Sequence, residues 1–193
     1  AYFSLNFTNF THLNRKEMEN RLEKLFFQIG NKNTARGKEI KCKMKKKCVG
    51  VVLSAQELAV DVYDLWIETE IARDAKPGQF VGVFTSKEST LLPRPISICE
   101  VNKEEGMLRI VYRVAGEGTE EFSHYTAGTA VPVLGILGNG FPIEEGKGKK
   151  AFLMGGGIGV PPIVQLAKEL DAEKQAIIGY RDHNLFLKDD LEK

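Results

Sequence analysis

Ala151-Phe-Leu-Met-Gly-Gly-Gly-Ile-Gly-Val-Pro-Pro162 is the stretch on which the reading of this chain turns. A short apolar run enters four glycines within five residues, meets two prolines, and continues into the apolar-periodic Ile163-Val-Gln-Leu-Ala-Lys-Glu-Leu170. That is the order strand, tight turn, helix. An anion approaches backbone N–H groups closely only where no Cβ intervenes, and this is the use of glycine at such a turn. Pro161 or Pro162 suits the first helical turn, where a missing N–H costs nothing. The stretch predicts a phosphate or dinucleotide site at a helix N-terminus. Its spacing is not the full fingerprint. In the G-x-G-x-x-G register from Gly155 the third glycine is replaced by Val160, and from Gly157 by Pro162. No Gly-Lys-Ser/Thr ending follows, which argues against a nucleotide-triphosphatase P-loop. A plain glycine-rich connection fits the stretch equally well at this point.

Downstream, Gln175-Ala-Ile-Ile-Gly-Tyr180 reads as a second strand, so the alternation begins a βαβ unit and implies a parallel sheet over residues 148–193. Two parallel strands and one helix leave a sheet face and an edge uncovered, and an incomplete nucleotide-binding α/β domain is the expectation. The polar Gly146-Lys-Gly-Lys-Lys150 marks the boundary before it. Upstream, branched and aromatic runs at 49–53, 62–67, 80–84, 95–99, 107–112 and 130–134 are separated by turn signals such as Lys76-Pro-Gly-Gln79. Six short strands over 44–147 predict a small antiparallel, Greek-key barrel. One helix interrupts them, over 120–125, with Thr119 as its cap.

Residues 1–43 read as a non-domain extension with one amphipathic helix over 15–29, started by Asn14-Arg-Lys-Glu17 and closed by Gly30. Met44-Lys-Lys-Lys-Cys48 resembles a translation start, and Gly37-Lys-Glu39 is what a purine-rich ribosome-binding sequence would encode in frame. The functional chain is therefore expected to begin at Met44, with 1–43 non-native.

A hydrophobic fraction of 42% with 27% charged residues is enough for a globular core. No run approaches the roughly 18 apolar residues that span a bilayer, and no secretory signal opens the chain. Cys42, Cys48 and Cys99 form no C-x-x-C and are odd in number, which argues for a reducing cytoplasm over a disulfide framework. Residues 1–50 carry 12 Lys and Arg against 4 Asp and Glu, but Phe and Asn interrupt the charge and no recognition-helix pattern appears. Neither a nucleic-acid nor a membrane partner is expected. His12, His124 and His183 are scattered, so neither a catalytic triad nor a zinc site is indicated.

Two further segments can carry chemistry. In Leu92-Pro-Arg94-Pro-Ile-Ser97, Arg94 can pair with a phosphate and Ser97 can donate to a ring nitrogen; an edge strand with a solvated arginine is the plainer reading. In Val111-Tyr-Arg-Val-Ala-Gly-Glu-Gly-Thr119 a strand leads into a glycine turn that opens a helix and again offers N–H groups to an anion. Glu117, Glu120 and Glu121 would oppose a pyrophosphate there unless they face solvent. Gly135-Ile-Leu-Gly-Asn-Gly140-Phe reads by itself as a turn.

Together these segments resemble the ferredoxin-reductase superfamily. Leu91-Leu-Pro-Arg-Pro-Ile-Ser-Ile-Cys99 and Met154-Gly-Gly-Gly-Ile-Gly-Val-Pro-Pro162 are most similar to the electron-transfer subunits of NAD-dependent (type B) dihydroorotate dehydrogenases, over roughly residues 44–193. The resemblance implies an FAD seat at Arg94, Pro95, Ile96 and Ser97, lined by Val111, Tyr112 and Arg113, with Gly118 and Thr119 at the pyrophosphate. It places NAD(H) at Gly155, Gly156, Gly157 and Gly159. It implies no catalytic acid or base, since hydride passage rests on proximity and orientation. It also implies a hetero-oligomer with an FMN-containing dihydroorotate dehydrogenase catalytic subunit, in pyrimidine biosynthesis. Members hold a [2Fe–2S] cluster on four closely spaced cysteines. No cysteine follows Cys99 here, so no metal ligand is assigned, and the piece is expected not to be fully active alone. Two other readings stay open: the flavin subunit of an NAD(P)H-dependent ferredoxin or sulfide reductase, and a non-catalytic nucleotide-binding or docking fragment. Asp182 would suit a ribose hydroxyl and Arg181 a 2′-phosphate, which leaves NAD against NADP undecided.

Overall fold

A computed structural model describes residues 46–86 and 92–192, all within one compact unit, Lys45–Lys193. The expected extension 1–43 with its helix over 15–29, the start at Met44, and Leu91 of the Arg94 motif lie outside the described residues.

Strands β1 (Lys46–Ala59), β2 (Val62–Glu68), β3 (Phe80–Val83), β4 (Arg94–Asn102), β5 (Met107–Arg113) and β6 (Ala130–Leu137) close into an antiparallel barrel in the order β1-β2-β5-β4-β3-β6. After the run β3–β4–β5 the chain returns as β6 beside β3, which is a Greek key. Alternation turns Leu65 and Ile67 of β2, Val81 and Val83 of β3, and Leu108 and Ile110 of β5 into the barrel, where all six are fully buried. Each such side chain stabilises the fold by about 1.5–3 kcal/mol through leaving water.

β1 is far longer than the expected 49–53. Register shifts at Val52/Ser54 and Glu57/Ala59 bend it from β6, which pairs with its first half, onto β2. A bulge adds twist and breaks the period-two pattern, and this is why the sequence signal stops at Leu53. A 3₁₀ turn, Glu70–Asp74, buries Ile71 and Ala72 in the barrel core, an element that no periodicity announces.

The interrupting helix, α1 (Glu117–Ser123), begins earlier than expected, and Gly116 takes the N-cap position. Thr119 is not the cap but the third helical residue. Its Oγ1 accepts the N–H groups of Ala115 (2.8 Å) and Gly116 (3.2 Å) and so tightens the turn from inside the helix. Phe122 of α1 is fully buried and meets Tyr112 edge-on at 5.9 Å.

Beyond the barrel, β7 (Lys150–Gly156) runs through a 3₁₀ turn, Gly157–Gly159, into α2 (Pro161–Glu169), and β8 (Glu173–Gly179) pairs parallel to β7. The helix buries two stripes. Ile163 and Leu166 pack with Leu153 of β7, whereas Val160 and Val164 pack with Cys99, Val111 and Phe186. A short last helix, α3 (Lys188–Leu191), follows. The face of β7 and β8 turned away from α2 exposes Phe152, Met154 and Ile177.

Candidate functional site

The barrel wall parts between β4 and β5. β4 pairs with β3 through Arg94–Ser97 but with β5 only from Ile98 to Asn102. β5 in turn pairs Val111, Tyr112 and Arg113 with β2 alone. The edges of Arg94–Ser97 and Val111–Arg113 that face one another therefore have no strand partner among the described residues. This explains a proline within a strand, because Pro95 needs no acceptor on the open side. Backbone polar groups on such an edge must find partners elsewhere. The two segments singled out in the sequence are the two lips of this slot.

Arg94 stands at one lip. Its Nη1 donates to Leu92 O at 2.7 Å, and its side chain lies across Gly118 of α1. A Cβ on Gly118 would sit 2.6 Å from Arg94 Nε, so the glycine is what admits the guanidinium to the helix N-terminus. The first N–H groups of α1 have no intrahelical acceptor, and a guanidinium beside them makes a positive corner. Glu117 and Glu120 are exposed, while Glu121 is turned aside and accepts from Ser86 N and Tyr125 Oη. The plainer reading of an edge strand fits the open side of Arg94–Ser97, but its arginine is half-buried and not freely solvated.

The remaining residues divide by face. Ile96 packs into the barrel core, and Pro95 and Ser97 are exposed on the outer wall. Tyr112 points inward, stacks with Tyr63 at 6.1 Å, and keeps a buried hydroxyl that has no hydrogen-bond partner among the described residues. Burial, then Tyr63 and Tyr125, pushes its ionisation well above the usual phenol range. Arg113 is exposed, while Val111 faces out beneath Val160 and Phe186.

The glycine loop lies over the same wall. Val160 and Val164 share one buried cluster with Cys99, while Gln165 reaches Val101, Lys168 pairs with Glu100, and Glu169 with Lys103. Rising numbers on α2 meet rising numbers on β4, so the helix N-terminus points toward the Ser97 end. Gly157 has φ +50, and no atom lies within 4 Å of a Cβ placed there or on Gly159. Gly155 is different: its Cβ would meet Val160 Cα at 3.1 Å and Gly159 O at 3.2 Å. Gly156 has only Gly179 O nearby, at 3.9 Å. Gly155 thus closes the turn, and Gly157 and Gly159 leave open space above it.

Sequence reasoning passed over the polar node beneath this assembly. Arg109, almost fully buried on the outer wall, donates Nε and Nη2 to Asp64 and Nη1 to Asp190 of α3, with Glu100 at 3.4 Å. Burial alone would lower the guanidinium's pKa, but the bonds to Asp64 outweigh it and hold the group charged. The signal was a charge in the middle of each of two apolar strands, Asp64 in β2 and Arg109 in β5. Burial likewise pushes the Cys99 thiol above its ordinary range. Among the described residues no group of three or more His, Cys, Asp or Glu side chains is placed to hold a metal ion, and no helix is long and apolar enough to cross a membrane.

A Greek-key barrel parted between two strands, with a glycine-loop helix laid along its outer wall, is the ferredoxin-reductase-type fold. A solved NADH-dependent reduced ferredoxin–NADP oxidoreductase superposes with a TM-score of 0.63 at 30% identity, covering 72% of this chain and 51% of that one. Phthalate dioxygenase reductase gives 0.61 at 20% identity over 76% and 48%, a likeness of fold. The chain is, more closely, a homologue of the electron-transfer subunits of dihydroorotate dehydrogenase B (NAD(+)). It is 38% identical over 138 residues to the subunit from Enterococcus faecalis, covering 70% of this chain and 52% of the relative. With that from Listeria welshimeri it shares 45% over 120 residues, 62% of this chain and 47% of the relative. The chain thus spans about half the length of the curated relatives it matches. No protein-family model matches it.

Proposed function

We propose that this chain is the flavin-binding and nicotinamide-facing part of an FAD-dependent electron-transfer subunit. In the whole protein it passes electrons between NAD(H) and the FMN-containing catalytic subunit of a dihydroorotate dehydrogenase, as a hetero-oligomer in the cytoplasm. The observation that carries the proposal is the slot between Arg94–Ser97 and Val111–Arg113, which opens on the same wall as the glycine loop. Residues 44–147 would seat the flavin and residues 148–193 would admit the nicotinamide.

The residues present fit a flavin dinucleotide. Arg94, beside the first N–H groups of α1, would neutralise a pyrophosphate, and the Cβ-free Gly118 keeps that corner open. Thr119 would act by holding the Ala115–Gly116 turn, since its hydroxyl is already engaged there. Ser97 and Pro95, exposed on the outer wall, would lie against the ring, and the unpartnered edges of Val111, Tyr112 and Arg113 would supply backbone groups. Gly157 and Gly159 would give room to the nicotinamide nucleotide. Bound FAD would supply the exchange between two-electron and one-electron chemistry, with no acid or base required of the protein. The two described thiols do not fit an iron–sulfur cluster. Cys48 shares a hydrogen bond with Thr69 beside the barrel core, whereas Cys99 is buried under α2.

The test is direct. Protein incubated with FAD and desalted should stay yellow and should be bleached by NADH without oxygen. Arg94→Ala should retain at least tenfold less flavin. Colourless protein that takes up no FAD, or a variant with unchanged flavin content, would refute the assignment.

A further inference from the structure

β4 has a second open edge, on its β3 side. β3 covers it only to Ser97, and Gln79 O then takes the N–H of Ile98. Past that point the β4–β5 register shifts between Ile98 and Glu100, so Cys99 is an extra residue and the ladder is locally broken. Val101 consequently gives its N–H to a side chain, Gln165 Oε1 of α2, at 2.8 Å. Gln165 is 94% buried by the same packing that covers Val164, and its Nε2 donates to Glu169 of the same helix. Both ends of one amide are therefore committed, one to the strand and one to the helix.

We propose that Gln165 is a positioning residue that sets where the glycine loop stands over β4. This rests on the proposed function, whose two nucleotide sites it relates. From Gln165 the helix runs roughly 9 Å back to Gly159, at 1.5 Å per residue. From Val101 the strand runs roughly 13 Å back to Ser97, at about 3.3 Å per residue. Both paths lead to the same end of the assembly, and the hydrogen bond between Gln165 and Val101 fixes their relative offset. The apolar contacts of Val160 and Val164 hold α2 against the wall, but such contacts are non-directional and tolerate sliding. The hydrogen bond does not. A slip of one helical residue would displace the loop by about 1.5 Å, and a misplacement of about 1 Å can cost 10²-fold in a reaction that depends on proximity alone.

Two variants of the full chain, loaded with FAD, test this. Gln165→Met keeps the length of the side chain and removes both polar ends. It should raise hydrogen exchange at the Val101 amide and across 157–160 at least tenfold. It should also lower the rate of flavin reduction at saturating NADH at least tenfold, with FAD retention unchanged. The double variant Gln165→Glu/Glu169→Gln restores an acceptor for Val101 and reverses the donor between the two helical residues. It should return both readings to within about threefold of the original. Unchanged exchange in Gln165→Met, an unchanged reduction rate beside a working parent, or failure of the double variant to rescue would each overturn the proposal. If the parent itself is not reduced by NADH, the functional reading fails, and the exchange comparison still decides whether Gln165 positions the loop.

Discussion

The barrel and the β7–β8 pair satisfy their backbones in different ways. Each barrel strand has a neighbour on both sides along part of its length, and the core is enclosed by the wall itself. Among the described residues β7 and β8 pair only with each other, and one face of the pair rests on α2 while the other exposes Phe152 and Met154. The glycine loop is held against the barrel, through α2 and through the contact of Gly157–Gly159 with β5. A closed sheet can therefore afford a slot in its wall, because the remaining pairings hold the lips in place. An open pair of strands cannot hold a loop alone, and the contacts on the outer wall become as important to the site as the residues that would touch a ligand.

Arg109→Leu should break the comparison most severely. Arg109 joins Asp64 of β2, Glu100 of β4 and Asp190 of α3, and Asp64 is almost wholly buried. Removing the cation leaves that carboxylate in the wall without a counter-charge, with a hydrogen bond from Gln56 Nε2 at 3.2 Å. Breaking a buried pair from one side costs about 3–5 kcal/mol, and urea unfolding should show a loss of that size. Asp190→Asn should cost much less, because Asp190 is partly exposed and Asp64 would keep its guanidinium. Equal losses in the two variants would mean that the tie to α3, and not the buried carboxylate, dominates.

How much of this was legible in the sequence follows from the same contrast. The six barrel strands announce themselves because each turns one apolar face inward, and the glycine–proline boundary before α2 is written in the residues. Arg94, Ser97, Tyr112 and Gly118 could be singled out by type, yet nothing in their spacing shows that β4 leaves β5 at Ile98 and opens the slot between them. The bulges in β1 and at Cys99 were hidden for a physical reason: an extra residue destroys the alternation by which strands are recognised. Nothing in the helical pattern of 163–170 marks Gln165, since its role depends on which strand lies beneath it. Thr119 stands three positions from the cap expected of it, because a hydroxyl can serve a helix entrance from the third residue as well as from the cap.

The glycine loop sharpens the distinction between a residue that supports the turn and one that leaves space for a ligand. Gly155→Ala would press a Cβ against the backbone of Val160 and Gly159, neither of which is a flexible side-chain end. Overpacking of this kind costs about 1–3 kcal/mol, which a shift of the urea midpoint would report. Gly159→Ala meets no atom within 4 Å and should leave stability within about 0.5 kcal/mol, while weakening NADH binding to the FAD-loaded protein. Equal stability losses in the two variants would show that the open space above Gly159 is filled in solution.

The smallest effect is expected on the outer face of the β7–β8 pair. Phe152 and Met154 are 62% and 68% exposed, so little of their apolar surface has left water, and threonine keeps a strand-favouring shape at both positions. Phe152→Thr/Met154→Thr should therefore change stability by no more than about 0.5 kcal/mol in urea unfolding. Leu153, between them in sequence, points to α2 and is only 7% exposed, so the same backbone carries one face that stabilises the fold and one that does not. A loss above about 1 kcal/mol in the double variant would contradict an open face, because substitutions at exposed positions do not cost that much. The contrast between an enclosed barrel and a sheet covered on one side would then give way to two enclosed sheets, and the glycine loop would have a support beyond α2 and the barrel wall.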